Sequence, residues 1–515
     1  MVMAEASSRT MLTGILQWLI LSLTFIVVVL FAGSVISQVP FERTIFQLLF
    51  FPLCSFAYLV LTRDPRYRLL AFFMLVYYAL FGLLDLVLMF TASQYQIYET
   101  ALKIPKTQLA DFIILLGGGV LLGMYCLTVS VWRKNAKLAS VTVWKYGPSL
   151  LIGAISWMIG IWCYFIVQFV YGVKGPAHVG LVSLVISNLY YLALLGDVIM
   201  VVTALKHPGR RAPWVFIAIM IGVEYSLGFA GNIKEVSYRL LALILIAQYF
   251  AKGKVNLKLI LLIVVSFVPY QALFNVYREQ VIQVRNASVM EAASSARQST
   301  DTVLAKFAKE RDSMMKSTFI MLDRTDSRKY VEIITQKTGV TVPFQDGYTL
   351  KLLAYAFIPG MLWPGKPQIS TGILMNKTFK LSDSKLTFVP STMLGEFYWN
   401  FGVMGVIVGM VFLGTLFAAI NCLCLKNDNF STVGMLTVLV ATYFLVARFE
   451  ASVGSQFSQF IRVTVILFAV DAIMGLAGGR QLRTADGTTE TQARTPRYAN
   501  IMREPRLRAD VSSSG

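Results

Sequence analysis

The sequence predicts an all-α polytopic membrane protein with about twelve transmembrane helices and one large outer-face loop containing short helices. Three observations carry the prediction. Mean hydropathy is +0.65, 56% of residues are apolar and only 14% are charged, where soluble domains carry roughly 25%. Apolar stretches near the ~20 residues needed to cross a bilayer recur along the chain. Residues 276–400 break that rhythm with a mixed, polar run too long for a bare connector.

Twelve stretches qualify in order: 12–36, 45–61, 69–91, 112–131, 150–170, 179–205, 214–230, 236–250, 259–274, 401–425, 433–446 and 457–476. The first is too long for a signal-peptide apolar region and lacks an A-x-A site, so it is expected to be retained. The eighth is short and carries Arg239, which makes it the weakest. Loop charges set the orientation. One set of alternate loops holds fourteen Lys and Arg and the other seven, and the richer set shares its side with both termini. Both ends are therefore expected in the cytoplasm. The expected organisation is 1–275 for nine spans, 276–400 for the large loop, 401–478 for three spans, and 479–515 for a disordered tail with seven Arg.

With twelve spans and both ends inside, the large loop falls on the outer face. Two stretches in it read as helical. Residues 300–322 put Val303, Leu304, Phe307, Met314, Met315 and Phe319 on one face. YTLKLLAYAFIPGMLW, from Tyr348, reads as a short amphipathic or re-entrant helix stopped at Pro359.

Composition also excludes classes. The net charge is +19, but most of the charges lie between apolar segments or in the tail, which argues against nucleic acid as a partner. The five cysteines all fall in apolar stretches, without a CxxC or Cys/His cluster, so neither a disulfide framework nor a metal site is expected.

The loop ends in FIPGMLWPGKPQ (357–368), a polar run, and STMLGEFYWNFG (391–402) leading into a Gly-rich span. The order IP, Trp-Pro-x-Lys-Pro, then G-E-x-Y-x-N-F-G resembles the Wzy-type O-antigen, or oligosaccharide repeat unit, polymerases. The similarity is sharpest over 348–409. Gly360 stands where that family often carries Arg, so Lys366 is the motif's only cation. The resemblance implies a cofactor-free, metal-independent glycosyltransferase in the bacterial inner membrane, acting at its outer face. Its substrates would be polyprenyl-diphosphate-linked oligosaccharides, with chain-length regulator and flippase proteins as further partners. The product would be O-antigen, capsule or exopolysaccharide.

Such chemistry needs cations for the leaving diphosphate, and Arg binds phosphate oxygens through a fixed fork. The candidates are Arg278 and Arg448 at the reacting centre and Arg239, Lys366 and Arg462 in binding, with Lys234 and Arg285 behind them. Snorkelling to the interface is the competing explanation for Arg239, Arg278 and Arg448. Arg462 lies several residues into its span. The acceptor hydroxyl needs a base. Glu396 is placed by the motif beside Phe397, Tyr398 and Trp399, and Glu235, Glu279 and Glu450 are the other candidates. Glu396 could instead cap its helix end, and Glu235 and Glu450 could pair with nearby cations. Trp363 and Tyr398 are candidates for stacking on sugars and Asn400 for binding, whereas Trp399 reads better as part of an interfacial belt. Gly402, Gly405 and Gly409 form a small-xxx-small face for close packing.

Three other readings compete. A ligase would pass the finished chain to a different acceptor, but the large loop holds no His for a His-dependent mechanism. A transporter or flippase would use the acids inside spans, Asp85, Asp197 and Glu224, with Asp471 nearer the inner end. A non-catalytic assembly scaffold fits everything except the cation and Glu396 constellation.

Overall fold

Each expected span overlaps a described helix in the computed structural model of the protein. The structure describes residues 13–28, 41–83, 108–132, 141–171, 185–186, 188–231, 233–267, 270, 274, 326–356, 358, 363, 367, 371–381, 388–426 and 429–483. Asp85, Arg278, Glu279, Arg285, Lys366, the 300–322 stretch and the tail beyond 483 lie outside the described residues.

The helices are α1 (Thr13–Val28), α2 (Phe41–Phe56, running on as a π-helical turn Ala57–Leu61), α3 (Arg68–Phe81) and α4 (Gln108–Trp132). After strand β1 (Val141–Trp144) come α5 (Tyr146–Phe165, with a π-helical turn Ile166–Tyr171), α6 (Tyr191–Lys206), α7 (Ala212–Ala230), α8 (Lys234–Lys252) and α9 (Leu257–Phe267). The loop region contributes α10 (Arg328–Lys337), α11 (Tyr348–Tyr355) and α12 (Gly372–Phe379). The chain closes with α13 (Met393–Cys424), β2 (Leu425–Lys426), β3 (Asn429–Phe430), α14 (Thr432–Ala441, with a π-helical turn Thr442–Val446), α15 (Val453–Leu476) and β4 (Arg480–Arg483).

Among the described residues, five helices are long and apolar enough to cross a membrane on length and composition alone: α4, α5, α7, α13 and α15. The others are shorter or more polar, which makes this a multi-pass helical protein without fixing the number of crossings. The eighth stretch, the weakest in the sequence, is a continuous helix, α8. At ~1.5 Å per residue its length approaches the ~30 Å apolar thickness of a bilayer. It ends on Gly253 in the left-handed conformation, whose N–H reaches the Tyr249 carbonyl at 2.7 Å.

Close backbone approach organises the α5–α6–α7–α8 group. A Cβ on Gly160 would collide with the backbone of Ala193, and one on Gly196 would sit 2.5 Å from the Trp157 nitrogen. Small residues let these helices approach where bulkier ones would hold them apart. Trp157 then lies buried between α5 and its neighbours.

The 32-residue helix α13 is not straight. Phe401 and Gly402 are non-helical, and Gly402 (φ 61°, ψ −145°) adopts a conformation that only glycine takes readily. In a straight helix Phe397 and Gly409 would lie about 18 Å apart. Instead, the Phe397 ring is 2.5 Å from where a Gly409 Cβ would stand, and the Phe397 carbonyl lies against Gly405. Residues 393–400 therefore fold back over the start of the long helix, and the glycine face admits this segment.

The described part of the large loop is packed down. Arg328 of α10 is buried, reaching Asp111 at the start of α4 at 2.5 Å and lying 4.8 Å from the Phe46 ring. The Ser327 N–H donates to the Leu80 carbonyl at the end of α3 (3.1 Å). Lys337 holds the last carbonyl of α12, that of Phe379, at 3.0 Å. The short helix expected from Tyr348 is present as α11. Its end is held by Arg462 of α15, which donates to the Ala356 carbonyl at 3.0 Å. These helices cap one end of the bundle. At the opposite end β1 pairs antiparallel with β4, and Trp144 Nε1 and Arg480 Nε both donate to Asp471 Oδ1 (2.8 and 2.9 Å). Asp471 thus belongs to a structural clamp.

Candidate functional site

Five helix ends converge beside the packed loop. Their side chains enclose a cavity of about 290 Å³ lined by Tyr164, Gln168, Tyr190, Tyr191, Glu235, Arg239, Tyr443, Arg448 and Gln459, with a few apolar neighbours. The cavity lies at the loop end, because the Thr392 and Met393 N–H groups donate to the Glu450 and Phe449 carbonyls at 2.9 and 3.0 Å. Arg239 and Arg448, more than two hundred residues apart in the chain, meet here as two of the expected cations.

Each is held by acids. Arg239 Nε donates to Asp197 Oδ2 at 2.8 Å, and its Nη2 donates to Glu224 Oε1 at 2.7 Å. The Trp157 indole N–H donates to the same Glu224 oxygen at 3.0 Å. Asp197 and Glu224 are 0% and 1% exposed and Arg239 6%, so this triad forms the buried floor of the cavity. A lone charge at that depth is costly, and pairing makes it tolerable. The same pairing explains why a segment carrying Arg239 is a good helix. It also gives Asp197 and Glu224, two of the three acids expected inside spans, a structural partner.

Arg448 is nearer the mouth. Its guanidinium donates to Glu235 and, at 3.0 Å, to Gln459 Oε1. The Tyr443 hydroxyl donates to the other Glu235 oxygen, and the Arg448 guanidinium lies 5.7 Å from the Tyr443 ring. Both Arg448 and Glu235 keep side-chain exposure, 26% and 41%. Glu450, beyond the end of α14, stands beside them. Burial raises its carboxyl above the ordinary value, Arg448 opposes that rise, and Glu235 adds to it.

The other expected site residues lie elsewhere. Glu396 is fully buried on the folded-back segment, and its Oε2 accepts the Val453 N–H at 2.8 Å at the first turn of α15. It does not line the cavity. Asn400 is also fully buried and donates to Thr349 Oγ1 (2.6 Å) and the Glu396 carbonyl (2.7 Å). Tyr398 is buried, 6.4 Å from the Phe344 ring. Trp363 packs edge-on against Tyr355 at 5.1 Å. Trp399 is 0% exposed and packs on Phe379, so it is a core residue rather than part of an interfacial belt. Among the described residues, no group of three or more His, Cys, Asp or Glu is placed to hold a metal ion.

The segment that supplies Tyr443, Arg448 and Gln459 to the cavity, and Glu396 and Asn400 behind it, is also the segment that comparison with known families picks out. Residues 389–476 match the family model of the O-antigen polysaccharide polymerase Wzy. No curated protein and no solved structure matches the chain. The Wzy match spans α13, α14 and α15 and agrees with the resemblance read from the 391–402 motif. It begins after α12, so the other walls of the cavity come from helices that the Wzy match does not reach.

Sequence reasoning singled out both arginines and Glu235 but not the tyrosines and amides around them. Tyr164, Tyr190, Tyr191, Tyr443, Gln168 and Gln459 are scattered over four spans, and each looks like an ordinary membrane residue alone. One signal was available: Asp197, Glu224 and Arg239 are charges placed inside apolar stretches, and a charge in lipid requires an opposite one.

Proposed function

We propose that this protein is a polymerase that joins polyprenyl-diphosphate-linked oligosaccharide repeat units at the outer face of the inner membrane. The observation that carries the reading is the coincidence of the Wzy match with one wall of a polar, tyrosine-rich cavity at the loop end of the bundle. Its volume and mix of tyrosines, amides and charges suit sugar hydroxyls.

The reaction is displacement at an anomeric carbon. An acceptor hydroxyl oxygen of one lipid-linked unit attacks C1 of the reducing sugar of the growing chain. The bond from C1 to the diphosphate oxygen breaks, and polyprenyl diphosphate departs. The hydroxyl proton goes to a carboxylate. Glu235 is the base favoured here, since it is accessible, lines the cavity and is oriented by Tyr443 and Arg448. Arg448 binds the leaving diphosphate, and Arg239 holds the floor. Arg278 and Lys366 remain proposals from the sequence motif for further diphosphate contacts. Glu396 takes a positioning role, fixing the start of α15 so that Gln459 faces the cavity.

A strain lacking this chain provides the test. Its lipid-linked saccharides and surface polymer would be extracted and the repeat units counted on each. Single repeats displayed outside, with no long polymer, are the expected result. Single repeats trapped inside would identify a flippase. Long chains retained on the lipid carrier would identify a ligase, and either result overturns the polymerase reading.

A further inference from the structure

The packed loop leaves an apolar surface exposed on the segment between α10 and α11. Val340 stands at the apex of a turn, 81% exposed. The turn is closed by its own backbone. The Lys337 carbonyl accepts the Thr341 and Val342 N–H groups at 2.9 Å each, and the Gly339 N–H donates to the Val342 carbonyl at 2.8 Å. Hydrogen bonds therefore hold Val340 out. Phe344 and Tyr348 follow at four-residue steps and are also exposed. Between Lys337 and Lys351 the only charged residue is Asp346. The same region buries Val331, Ile334, Val342 and Leu352, so the exposed three are what its own core leaves outside. A single exposed apolar residue is ordinary, but a contiguous set marks an interaction surface.

This surface runs on into one face of α13. The Phe344 ring lies 3.1 Å from where a Gly339 Cβ would stand and 3.4 Å from where a Gly402 Cβ would stand. The Phe401 ring lies 3.1 Å from the same point on Gly347. Phe401 is itself exposed and begins a stripe of exposed residues, Met404, Val408 and Phe412, along α13. At ~1.5 Å per residue the straight part of α13, 403–424, is about 33 Å long, close to the ~30 Å apolar thickness of a bilayer. The stripe then faces acyl chains, and Gly402 marks the level at which the helix leaves them. The Gln345 N–H donates to the Trp399 carbonyl at 3.0 Å, which ties the exposed segment to the folded-back one at that same level.

From this continuity we propose that the 339–348 segment is a membrane-surface anchor, with Val340, Phe344 and Tyr348 seated at the boundary between head groups and acyl chains in the leaflet at the loop end. An amphiphilic boundary fits the mix of side chains. Tyr348 presents a hydroxyl, and Lys351, exposed one turn further along α11, places its charge among lipid phosphates on a long stem. The lipid that surrounds the α13 stripe is continuous with this patch, whereas a partner protein would have to displace it. The anchor holds α11 at a fixed height and, through the Asn400 to Thr349 hydrogen bond, the folded-back segment with it. It uses none of the residues that line the polar cavity, so it does not rest on the polymerase reading.

The test uses the full chain in phosphatidylethanolamine and phosphatidylglycerol vesicles, with a nitroxide attached at Val340→Cys or Tyr348→Cys. Electron paramagnetic resonance power saturation then measures collisions with oxygen, which concentrates in the bilayer, and with a water-soluble nickel chelate. The parent chain, treated identically, supplies the background from its five cysteines. Val408→Cys on α13 is the lipid reference, and Lys377→Cys, exposed on α12, is the water reference. The oxygen-to-nickel ratio at 340 and 348 is expected to lie several-fold above that at 377, on the side of 408. A ratio at 340 equal to that at 377 would put the turn in water and overturn the proposal. Low collision with both reagents at 340 would mean that protein covers the patch, with dipolar broadening if the cover is a second copy, and would overturn it too. All four positions are exposed, so the labels leave the core intact. A strain lacking the chain that still makes long polymer would defeat the polymerase reading and leave this result standing.

Discussion

Arg239→Met tests whether the buried triad is a framework element. The substitution keeps an unbranched stem and removes the charged guanidinium. Asp197 then loses the Nε–H that its Oδ2 accepts at 2.8 Å, while Glu224 keeps the Trp157 N–H at 3.0 Å. Both carboxylates remain at 0% and 1% exposure. Removing one partner of a buried ion pair costs about 3–5 kcal/mol, because an uncompensated charge is left behind. Replacing all members by neutral groups of similar size is near neutral or stabilising. Arg239→Met should therefore lower the unfolding free energy by about 3–5 kcal/mol, and the triple variant Asp197→Asn, Glu224→Gln, Arg239→Met should recover most of it. Unfolding titrations of the purified chain in mixed micelles measure both. A single variant as stable as the parent, or a triple variant no better than the single, would refute the reasoning. Polymer length in the triple variant then separates roles. Long polymer from a stable triple variant means that Arg239 holds the floor and does not touch substrate.

Glu235→Gln should leave protein accumulation unchanged and reduce polymerisation by roughly 10²–10⁴-fold, the usual contribution of a general base, read from repeat-unit ladders on gels. Glu396→Ala should instead reduce accumulation, because the buried Val453 N–H loses its acceptor at a cost of about 1–3 kcal/mol. The reverse pattern would return the base role to Glu396. Gly402→Ala should cost roughly 1–3 kcal/mol from backbone strain alone, since its added Cβ would make only ordinary contact with Phe344 at 3.4 Å. An unfolding free energy equal to the parent would mean that the fold-back does not need glycine. Arg328→Met should release α10 from Asp111 and speed proteolysis of the loop in intact vesicles. Unchanged cleavage would show that packing, not this ion pair, holds the loop down.

Much of this protein is legible from sequence because lipid imposes a simple rule. A crossing segment must satisfy its backbone internally and present apolar side chains, so hydropathy alone locates the helices. Even the weak stretch at 236–250 falls on a helix, α8, although with its charges it is not among the five long and apolar enough to cross a membrane. The motifs at 357–368 and 391–402 likewise resemble those of the Wzy-type polymerases, and the family match at 389–476 overlaps the second. What they could not give was the direction of Glu396. A carboxylate before an apolar run reads as accessible, yet Gly402 turns the preceding segment back into the protein, where Glu396 receives the first N–H of α15.

The sequence by itself determined a helical membrane protein, the places of its apolar helices, a long polar stretch between them and a resemblance to Wzy-type polymerases over 348–409, which the family match at 389–476 overlaps. The tertiary structure alone decided which charges meet. Arg239 might have paired with Glu235, four residues away. It is Asp197 and Glu224 on neighbouring helices that hold it, while Glu235 turns to Arg448, 213 residues distant. The physical reason is that a buried charge is compensated by whichever opposite charge helix packing brings within reach. That packing depends on close approaches such as Gly160 on Ala193 and Gly196 on Trp157, which sequence separation does not reveal.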